Sequence, residues 1–417
     1  MKYLIKGGQR LFGTVRISGS KNAILPILAA AIVTKKKSII HNCPDISDVH
    51  CTIEILRYLG CDVTFSGSTV TVDSSGDIEK AVPASLMTKL RSSIIFLGAF
   101  INRSKSALLS YPGGCELGAR PIDIHLSMLK EMGVKVSETE GSITCIASEL
   151  KSGVYTLPFP SVGATENIML ASLIADGPVI IKNPAKEPEI VDLQNFLRAC
   201  GAHISGAGTD TIKIEKMGEY TDCEYTVSSD RIESATYMAI AAATGSTIKL
   251  ENAPCKDLDS MITVLNAMGV YTISDSKENV TVISPKNLKP LGIVATMPYP
   301  GFPTDAQAIL MSTLLKAKGS SMVVENIFEN RYNHIPELIK MGASIVADGN
   351  TARVHGVEEL SGAKVLAKDL RAGAALIIAA LCADGETEIS DIYHISRGYE
   401  NIVGKLQALG ANIKAVK

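Results

Sequence analysis

The stretch LRYLGCDVTF, residues 56–65, ends a helical pattern at a glycine and continues into a strand pattern. The phrase recurs as LKEMGVKVSE, LRACGAHISG, LNAMGVYTIS, LIKMGASIVA and LQALGANIKA. The glycines of the six copies are Gly60, Gly133, Gly201, Gly269, Gly342 and Gly410. A glycine directly after a helix is typical of a left-handed C′ residue. The phrase therefore predicts six helices that end in such a turn and lead into a strand.

The spacing of these glycines predicts an internal duplication. Glycines three copies apart are always separated by 209 residues, as Gly60 is from Gly269 and Gly201 is from Gly410. Each half therefore holds three units of about seventy residues. That period is long for a solenoid, for which about 20–50 residues is usual. The pattern favours two similar globular α/β domains over an open array.

Each unit has the predicted order βαβαββ. Its first helix is apolar nearly all round, as in AGAALIIAALCADG, and is expected to be buried, whereas the second has a polar face and is expected on the outside. The offset of 209 matches RISGSKN to YTVSSDR, which places the domain change near residue 229. We expect one domain over 21–228 and a discontinuous domain of 1–20 plus 229–417, with the N-terminal strand completing the last unit.

The composition is that of a well-folded soluble protein without a strongly charged surface. The 417 residues are 46% apolar and 20% charged, and the net charge is −2. No global field would hold such a chain to nucleic acid or to an anionic membrane. The start has no signal-peptide pattern, the apolar runs are too short to span a bilayer, and the nine cysteines lack CxxC spacing. We expect a cytoplasmic protein with reduced thiols and no metal site.

Charged and polar residues recur where helices are predicted to begin. On the buried helices they include Lys21, Asn22, Lys89, Arg91, Asp230, Arg231, Asp305 and Arg371; on the outer helices they include Arg120, Asp123, Arg331 and Arg397. Cations there oppose the helix dipole, so their repetition indicates a site for phosphates or carboxylates. A single such arginine is more often a solvated or salt-bridged surface charge. Because the positions are equivalent in the repeats, we favour an anion site in a cleft between the domains.

One cysteine lies in the glycine-rich loop YPGGCELGARPIDIH, residues 111–125. Arg120 nearby would favour the thiolate of Cys115, and the glycines would allow the loop to close as a lid. The residues alone leave open whether Cys115 is reactive or structural. The other eight cysteines are interpreted as packing residues.

The motifs RISGSKNAILPILAA, KLRSSI, PGGCELGARPIDIHL, SVGATENIMLAS, GFPTDAQA, DLRAGAAL and SRGYENIVGKLQALGA follow one another along the chain. With them the sequence resembles, over essentially its whole length, the UDP-N-acetylglucosamine 1-carboxyvinyltransferases, which are enolpyruvyl transferases. The resemblance implies an inside-out α/β barrel of two pseudo-symmetric domains, each of three βαβαββ units. It also implies transfer of the enolpyruvyl group of phosphoenolpyruvate to the 3′-hydroxyl of UDP-N-acetylglucosamine by addition and elimination, without a metal or cofactor. This reaction opens peptidoglycan precursor synthesis.

The resemblance also assigns roles to residues. Asp305 would be the general base, although its position at a predicted helix start alone favours an N-cap. Cys115 would protonate the methylene carbon of phosphoenolpyruvate, form a pyruvate adduct and be alkylated by fosfomycin, while Lys21 and Arg397 would complete the catalytic set. The implied substrate-binding residues are Lys21, Asn22, Arg91, Arg120, Pro121, Asp123, Ile124, Ser161, Val162, Gly163, Asp305, Ile327, Arg331, Arg371 and Arg397.

The sequence departs from the family pattern at Ser396, where Asp is common, and at Tyr332 and Asn333. The nearest rival function is that of the sister transferase acting on shikimate 3-phosphate, which lacks the PGGC and SVGATE loops. A second rival is a non-catalytic protein that only binds a nucleotide sugar. Such a protein would not need Cys115 and Asp305 together. Because the assigned residues fall in both halves of the chain, we also expect the domains to close on the nucleotide sugar.

Overall fold

The structure, a computed structural model, describes residues 1–79, 81–87, 93–110, 122–139, 141–275 and 278–417. Within these residues the chain divides into two units. The continuous unit lies in residues 19–228, and the discontinuous unit joins Met1–Ser18 to Ser229–Lys417. Each unit has an apolar core of its own.

The helices of the described chain are α1 (Lys21–Thr34), α2 (Ser47–Tyr58), α3 (Ala84–Met87), α4 (Phe96–Ser104), α5 (Asp123–Glu131), α6 (Val162–Ser172), α7 (Pro188–Ala199), α8 (Arg231–Ala243), α9 (Asp259–Ala267), α10 (Thr304–Leu314), α11 (Ile335–Lys340), α12 (Leu370–Cys382), α13 (Tyr393–Ser396) and α14 (Ile402–Ala408). Short 3₁₀ helices are formed by Ser93–Ile95 and Cys255–Asp257.

The strands are β1 (Lys2–Lys6), β2 (Phe12–Arg16), β3 (Lys37–His41), β4 (Asp62–Ser66), β5 (Thr69–Asp73), β6 (Ser106–Ser110), β7 (Lys135–Thr139), β8 (Ser142–Ile146), β9 (Gly153–Thr156), β10 (Val179–Lys182), β11 (Ile204–Ser205), β12 (Thr211–Ile214), β13 (Cys223–Thr226), β14 (Thr247–Glu251), β15 (Tyr271–Ser274), β16 (Asn279–Ile283), β17 (Ile293–Ala295), β18 (Ser320–Val324), β19 (Ser344–Asp348), β20 (Thr351–His355), β21 (Lys364–Leu366), β22 (Glu386–Ser390) and β23 (Asn412–Val416).

The strands of the described residues form small open sheets, three in each unit. The orders are β13-β3-β5-β4, β6-β8-β7 and β11-β12-β10-β9 in the continuous unit, and β15-β16-β14-β2, β17-β18-β20-β19 and β21-β22-β1-β23 in the discontinuous unit. One edge pair of each four-stranded sheet is parallel, as β9 is to β10, and the remaining pairs are antiparallel. The predicted α/β class is confirmed, and no sheet in the described chain closes on itself.

The two ends of the chain meet in one sheet. Strand β1 pairs antiparallel with β22 on one side and with β23 on the other, with Lys2 opposite Val416. The first strand of the chain therefore lies beside the last one, as the repeat pattern predicts.

The six repeat glycines adopt the backbone that their sequence pattern predicts. Their φ angles lie between +90° and +100°. At Gly60 the backbone N–H donates to the carbonyl of Arg57, and the N–H of Cys61 donates to the carbonyl of Leu56, both at 3.0 Å. The same two bonds recur at the other five glycines. This is the Schellman motif, which satisfies carbonyls at the helix end and turns the chain into the next strand.

The predicted separation of buried and outer helices is confirmed. Helix α8 is buried at all of its residues, and α12 is buried from Arg371 to Leu381. The helices that precede the repeat glycines, such as α2 and α9, each bury only one face. Helices α8, α10 and α12 pack against one another in the discontinuous unit, and α1, α4 and α6 do so in the continuous unit. None of α1–α14 combines the length and apolar character that a membrane crossing requires.

Candidate active site

The carboxylate of Asp305 joins two buried arginines of the discontinuous unit. Its Oδ1 lies 2.8 Å from Nη2 of Arg331, and its Oδ2 lies 3.0 Å from Nη2 of Arg371. The arginine side chains are 5% and 6% exposed, whereas that of Asp305 is 28% exposed. We call these three residues the Asp305 cluster. Since a buried guanidinium is costly unless it is paired, the carboxylate stabilises both arginines, and it is also the most accessible member.

The start of α10 places Asp305 in the first helical turn. Pro303 occupies the N-cap position without a side-chain hydrogen bond, and the helix begins at Thr304. Asp305 is therefore the second helical residue, where the helix dipole favours a negative charge. The interpretation of Asp305 as an N-cap is wrong, because the proline takes the extended backbone before the helix and the carboxylate bonds the arginines instead.

Arg371 is held at the start of α12 by Asp369 and Tyr399 as well. Asp369 caps the helix by accepting from the backbone N–H groups of Arg371 and Ala372, at 2.8 and 2.9 Å. The guanidinium donates through Nη1 to the hydroxyl of Tyr399 at 3.3 Å, and that hydroxyl also bonds Oγ1 of Thr236 at 2.8 Å. Burial lowers the pKa of Arg371, but Asp305, Tyr399 and nearby Asp230 outweigh it, so the pKa is raised. Arg371 is therefore a fixed cation.

Arg331 approaches Asp305 from the turn that precedes α11. Its guanidinium carbon lies 5.5 Å from the ring centroid of Phe328. The Nε atom of Arg331 is buried and has no hydrogen-bond partner within the described residues. Two sides of this guanidinium are thus fixed, by a carboxylate and by an aromatic ring, which orients it as a planar donor.

In the continuous unit Lys21 is the first residue of α1. Ser20 caps this helix, its hydroxyl accepting from the N–H of Ala23. The Nζ of Lys21 lies 2.8 Å from Oδ2 of Asp48, whose side chain is 4% exposed. Asn22 follows in the same turn and is half-buried. The ion pair holds the ammonium at the helix start, where a cation must be held against the helix dipole.

The SVGATE segment forms the start of α6. The hydroxyl of Ser161 caps the helix by accepting from the N–H of Ala164 at 3.4 Å. Gly163 faces the ring of His125 on α5, since an added Cβ would lie 2.9 Å from Cε1 of His125. Burial lowers the pKa of His125 to about 4, and its Nδ1 accepts from Nδ2 of Asn167 at 2.9 Å. A glycine is therefore required for α6 to approach a neutral histidine this closely.

Four other predicted site residues lie on or near these elements. Asp123 is the exposed first residue of α5, and Ile124 and Val162 are half-buried against the core of the continuous unit. Ile327 lies in the loop after β18, and its N–H donates to Oε1 of Glu325 at 2.9 Å.

Four predicted site residues, Arg91, Cys115, Arg120 and Pro121, lie outside the described residues, as does the predicted lid loop around Cys115. Of the other eight cysteines, all free, Cys43, Cys61, Cys145, Cys200 and Cys223 are buried, and Cys51, Cys255 and Cys382 are partly buried. This burial agrees with their interpretation as packing residues.

The position predicted for Arg397 at a helix start is wrong. Arg397 is half-buried and follows the last residue of the short helix α13. The next helix, α14, begins only at Ile402, because Asn401 caps it by accepting from the N–H of Gly404 at 3.2 Å. Ser396, which departs from the family pattern, donates from its hydroxyl to the carbonyl of Tyr393 at 2.8 Å.

Comparisons with known proteins agree on one family. The sequence model of the family described as EPSP synthase (3-phosphoshikimate 1-carboxyvinyltransferase) matches residues 5–406. UDP-N-acetylglucosamine 1-carboxyvinyltransferase 2 from Caldanaerobacter subterraneus subsp. tengcongensis is 47% identical over 412 residues, 99% of each chain. Its counterpart from Carboxydothermus hydrogenoformans is 46% identical over 416 residues, 100% of this chain and 99% of the relative. The chain belongs to the enolpyruvyl transferase family.

A solved structure of another enolpyruvyl transferase has the same fold. The crystal structure of NikO from Streptomyces tendae matches with a TM-score of 0.90 at 28% identity, over 99% of this chain and 98% of that chain. The division into two α/β units is therefore a property that this chain shares with its family.

The sequence did not reveal several groups that hold the charged residues of this enolpyruvyl transferase. Asp48 pairs with Lys21, and Tyr399 with Thr236 supports Arg371. Tyr399 lies in the motif SRGYE, which predicts a role for Arg397 but none for the tyrosine. No residue pattern distinguishes Asp48 or Thr236 within its own helix, and only their contacts identify them.

Proposed function

We propose that the chain transfers the enolpyruvyl group of phosphoenolpyruvate to the 3′-hydroxyl of UDP-N-acetylglucosamine and releases phosphate. This is the first committed step of peptidoglycan precursor synthesis. The printed names of the relatives at 46% and 47% identity support this acceptor. The observation that carries the proposal for the site is the Asp305 cluster, in which one half-accessible carboxylate is held by two buried cations.

Asp305 acts as the general base in this proposal. A base must lie within hydrogen-bonding reach of the proton that it takes. Its carboxylate is fixed by two bonds and is more exposed than either arginine, so the acceptor hydroxyl can approach it. As Asp305 takes the hydroxyl proton, its charge is lost, and the two guanidinium groups become free to stabilise the anionic donor.

The cations stabilise charge on phosphoenolpyruvate throughout the reaction. The donor carries a phosphate and a carboxylate, and fixed donors at such groups contribute strongly in a site that excludes water. We assign this role to Arg331 and Arg371, together with Lys21, Arg91, Arg120 and Arg397. Asn22, Pro121, Asp123, Ile124, Ser161, Val162, Gly163 and Ile327 would bind the nucleotide sugar.

The chemistry proceeds by addition followed by elimination. The acceptor oxygen bonds to C2 of phosphoenolpyruvate while C3 takes a proton from Cys115, which gives a tetrahedral intermediate with a methyl group. Loss of one methyl proton then restores the double bond, and the C2–O bond to phosphate breaks. No metal or organic cofactor takes part. The groups assigned to this reaction belong to both units of the chain.

We further propose that each unit is an inside-out α/β barrel, with its buried helices within and its sheets outside. The mutual packing of α8, α10 and α12, and of α1, α4 and α6, supports this arrangement. A barrel of this kind needs no closed sheet, because three open sheets surround the helices.

Phosphate release with two alternative acceptors tests the proposed function. The protein is mixed with phosphoenolpyruvate and either UDP-N-acetylglucosamine or shikimate 3-phosphate, and inorganic phosphate is measured. We expect release with the nucleotide sugar only. Release with shikimate 3-phosphate would show that the chain has the activity of the sister transferase. Release with neither acceptor would support a non-catalytic protein that only binds a nucleotide sugar.

A further inference from the structure

Glu325 is a buried carboxylate that follows directly after β18, in the unit that holds the Asp305 cluster. It is only 3% exposed. Taking an ionised carboxylate out of water is costly unless hydrogen bonds satisfy it. The burial of Glu325 therefore requires hydrogen-bond donors that satisfy its carboxylate oxygens.

Four neutral groups donate to this carboxylate. Oε1 accepts from Oγ1 of Thr296 at 2.9 Å and from the backbone N–H groups of Ile327 and Phe328 at 2.9 and 3.1 Å. Oε2 accepts from Oγ1 of Thr304 at 3.0 Å. Both oxygens are therefore bonded, and the donors come from three separate segments of the chain.

Two of these segments carry Asp305 and Arg331, two members of the Asp305 cluster. Thr304 is the first residue of α10 and immediately precedes Asp305. Phe328 begins the turn that leads to Arg331, and its ring lies against the guanidinium of Arg331. A single carboxylate thus ties the helix start that carries the proposed base to the loop that carries its cationic partner.

We propose that Glu325 is a positioning residue for the transfer reaction, because it fixes the spacing between Asp305 and Arg331 without touching either substrate. The proposal rests on the proposed function. Loss of the bond to Thr304 would let the first turn of α10 move relative to the 327–331 loop. A misplacement of about 1 Å in a catalytic group costs about a hundredfold in rate.

Variants at Thr304 separate positioning from mere stability. Thr304→Val keeps the shape of the side chain and removes only the hydroxyl that donates to Glu325, whereas Thr304→Ser keeps that hydroxyl. We expect Thr304→Val and Glu325→Gln to lower kcat by about ten- to a hundredfold. In Thr304→Val the KM for UDP-N-acetylglucosamine should change much less than kcat, and Thr304→Ser should keep most of the wild-type kcat.

Glu337→Gln is the matched control. Glu337 is also a buried glutamate of this unit, but its carboxylate accepts from Lys340 and from the N–H of Leu366 and not from the segments that carry Asp305 or Arg331. We expect it to lower the melting temperature without lowering kcat per folded molecule. Melting temperature and circular dichroism are recorded for every variant so that kcat refers to folded protein.

The outcomes distinguish this proposal from the proposed function. An active wild type whose Thr304→Val and Glu325→Gln variants are folded and keep full kcat would overturn the positioning role alone. Equal loss of kcat in Thr304→Ser and Thr304→Val would also overturn it, since the hydroxyl would then not matter. A folded wild type that releases no phosphate would overturn the proposed function, and the positioning role with it.

Discussion

Asp305 serves two purposes that single substitutions can separate. Its carboxylate neutralises two buried arginines, and in the proposed reaction it also takes the proton of the acceptor hydroxyl. The first purpose is a matter of folding stability, because an unpaired buried guanidinium is costly. The second purpose, proton abstraction, affects only the rate of the reaction.

We expect Asp305→Asn to lower kcat by about a thousandfold, since an amide cannot take the proton and general bases contribute on that scale. The same change should lower the free energy of unfolding by about 3 kcal/mol, because both arginines lose their counter-charge. Phosphate release and urea unfolding measure the two effects. Asp259→Asn, at the exposed start of α9, is the control. A folded Asp305→Asn protein with most of the wild-type turnover would rule out the base assignment.

Tyr399 is expected to matter through Arg371. Tyr399→Phe removes the hydroxyl that accepts from Arg371 and bonds Thr236. Hydrogen bonds to charged groups contribute about 2 kcal/mol, so the free energy of unfolding should fall by about that amount. Tyr393→Phe, at a 60% exposed tyrosine, should be neutral. Equal effects of the two substitutions in urea unfolding would contradict the assigned bond.

The sequence predicts which charged residues belong to the candidate site, but it does not predict the residues that bond them. Asp305, Arg371 and Lys21 stood out because charges recur at equivalent positions of the repeat. Asp48 and Tyr399 did not, since an ion pair between two helices depends on packing that no local pattern encodes. The cap interpretation of Asp305 was wrong for the same reason, because the nearby arginines decide the orientation of its side chain.

At the scale of elements, the Schellman glycines organise every unit of the repeat. Each one combines a φ near +90° to +100° with the two backbone bonds that end its helix. Their positions could be predicted because spacing and glycine identity both indicate the same turn. The placement of Arg397 could not be predicted, since the four residues of α13 are too few to show helical periodicity.

Gly410→Ala tests the turn without a steric complication. Its φ is +94°, and an added Cβ would meet nothing within 4 Å, so only the backbone conformation is penalised. We expect a loss of about 1–2 kcal/mol in the free energy of unfolding. Gly292→Ala is the matched control, because that Cβ also has open space and the glycine has no positive φ. Destabilisation of both variants to the same degree would show that the left-handed turn is not the cause.

At the scale of the whole molecule, buried neutral histidines couple stability to pH. His334 is 1% exposed, and burial lowers its pKa from 6.5 to about 4, although Asp369 partly offsets the effect. The unfolded chain therefore binds a proton at a higher pH than the folded chain does. The contribution of His334 to stability is complete above pH 6.5 and is lost as the pH falls from 6.5 towards 4.

His334→Gln should therefore make the unfolding free energy less dependent on pH in that window. The wild type should lose up to about 3 kcal/mol more than the variant between pH 6.5 and pH 4. His203→Gln, at an exposed position, should leave the dependence unchanged. Urea unfolding at a series of pH values measures the difference, and parallel curves for the wild type and His334→Gln would refute the assignment.

The mass of the nucleotide sugar after reaction in D₂O tests the central claim most directly. Addition converts the methylene carbon of phosphoenolpyruvate into a methyl group with a solvent-derived hydrogen, and elimination then removes one hydrogen from that group. We predict that UDP-N-acetylglucosamine gains an enolpyruvyl group, part of which carries deuterium at its methylene carbon, and that Asp305→Asn forms far less of it. Recovery of unchanged nucleotide sugar, or of a product without deuterium, would contradict the account.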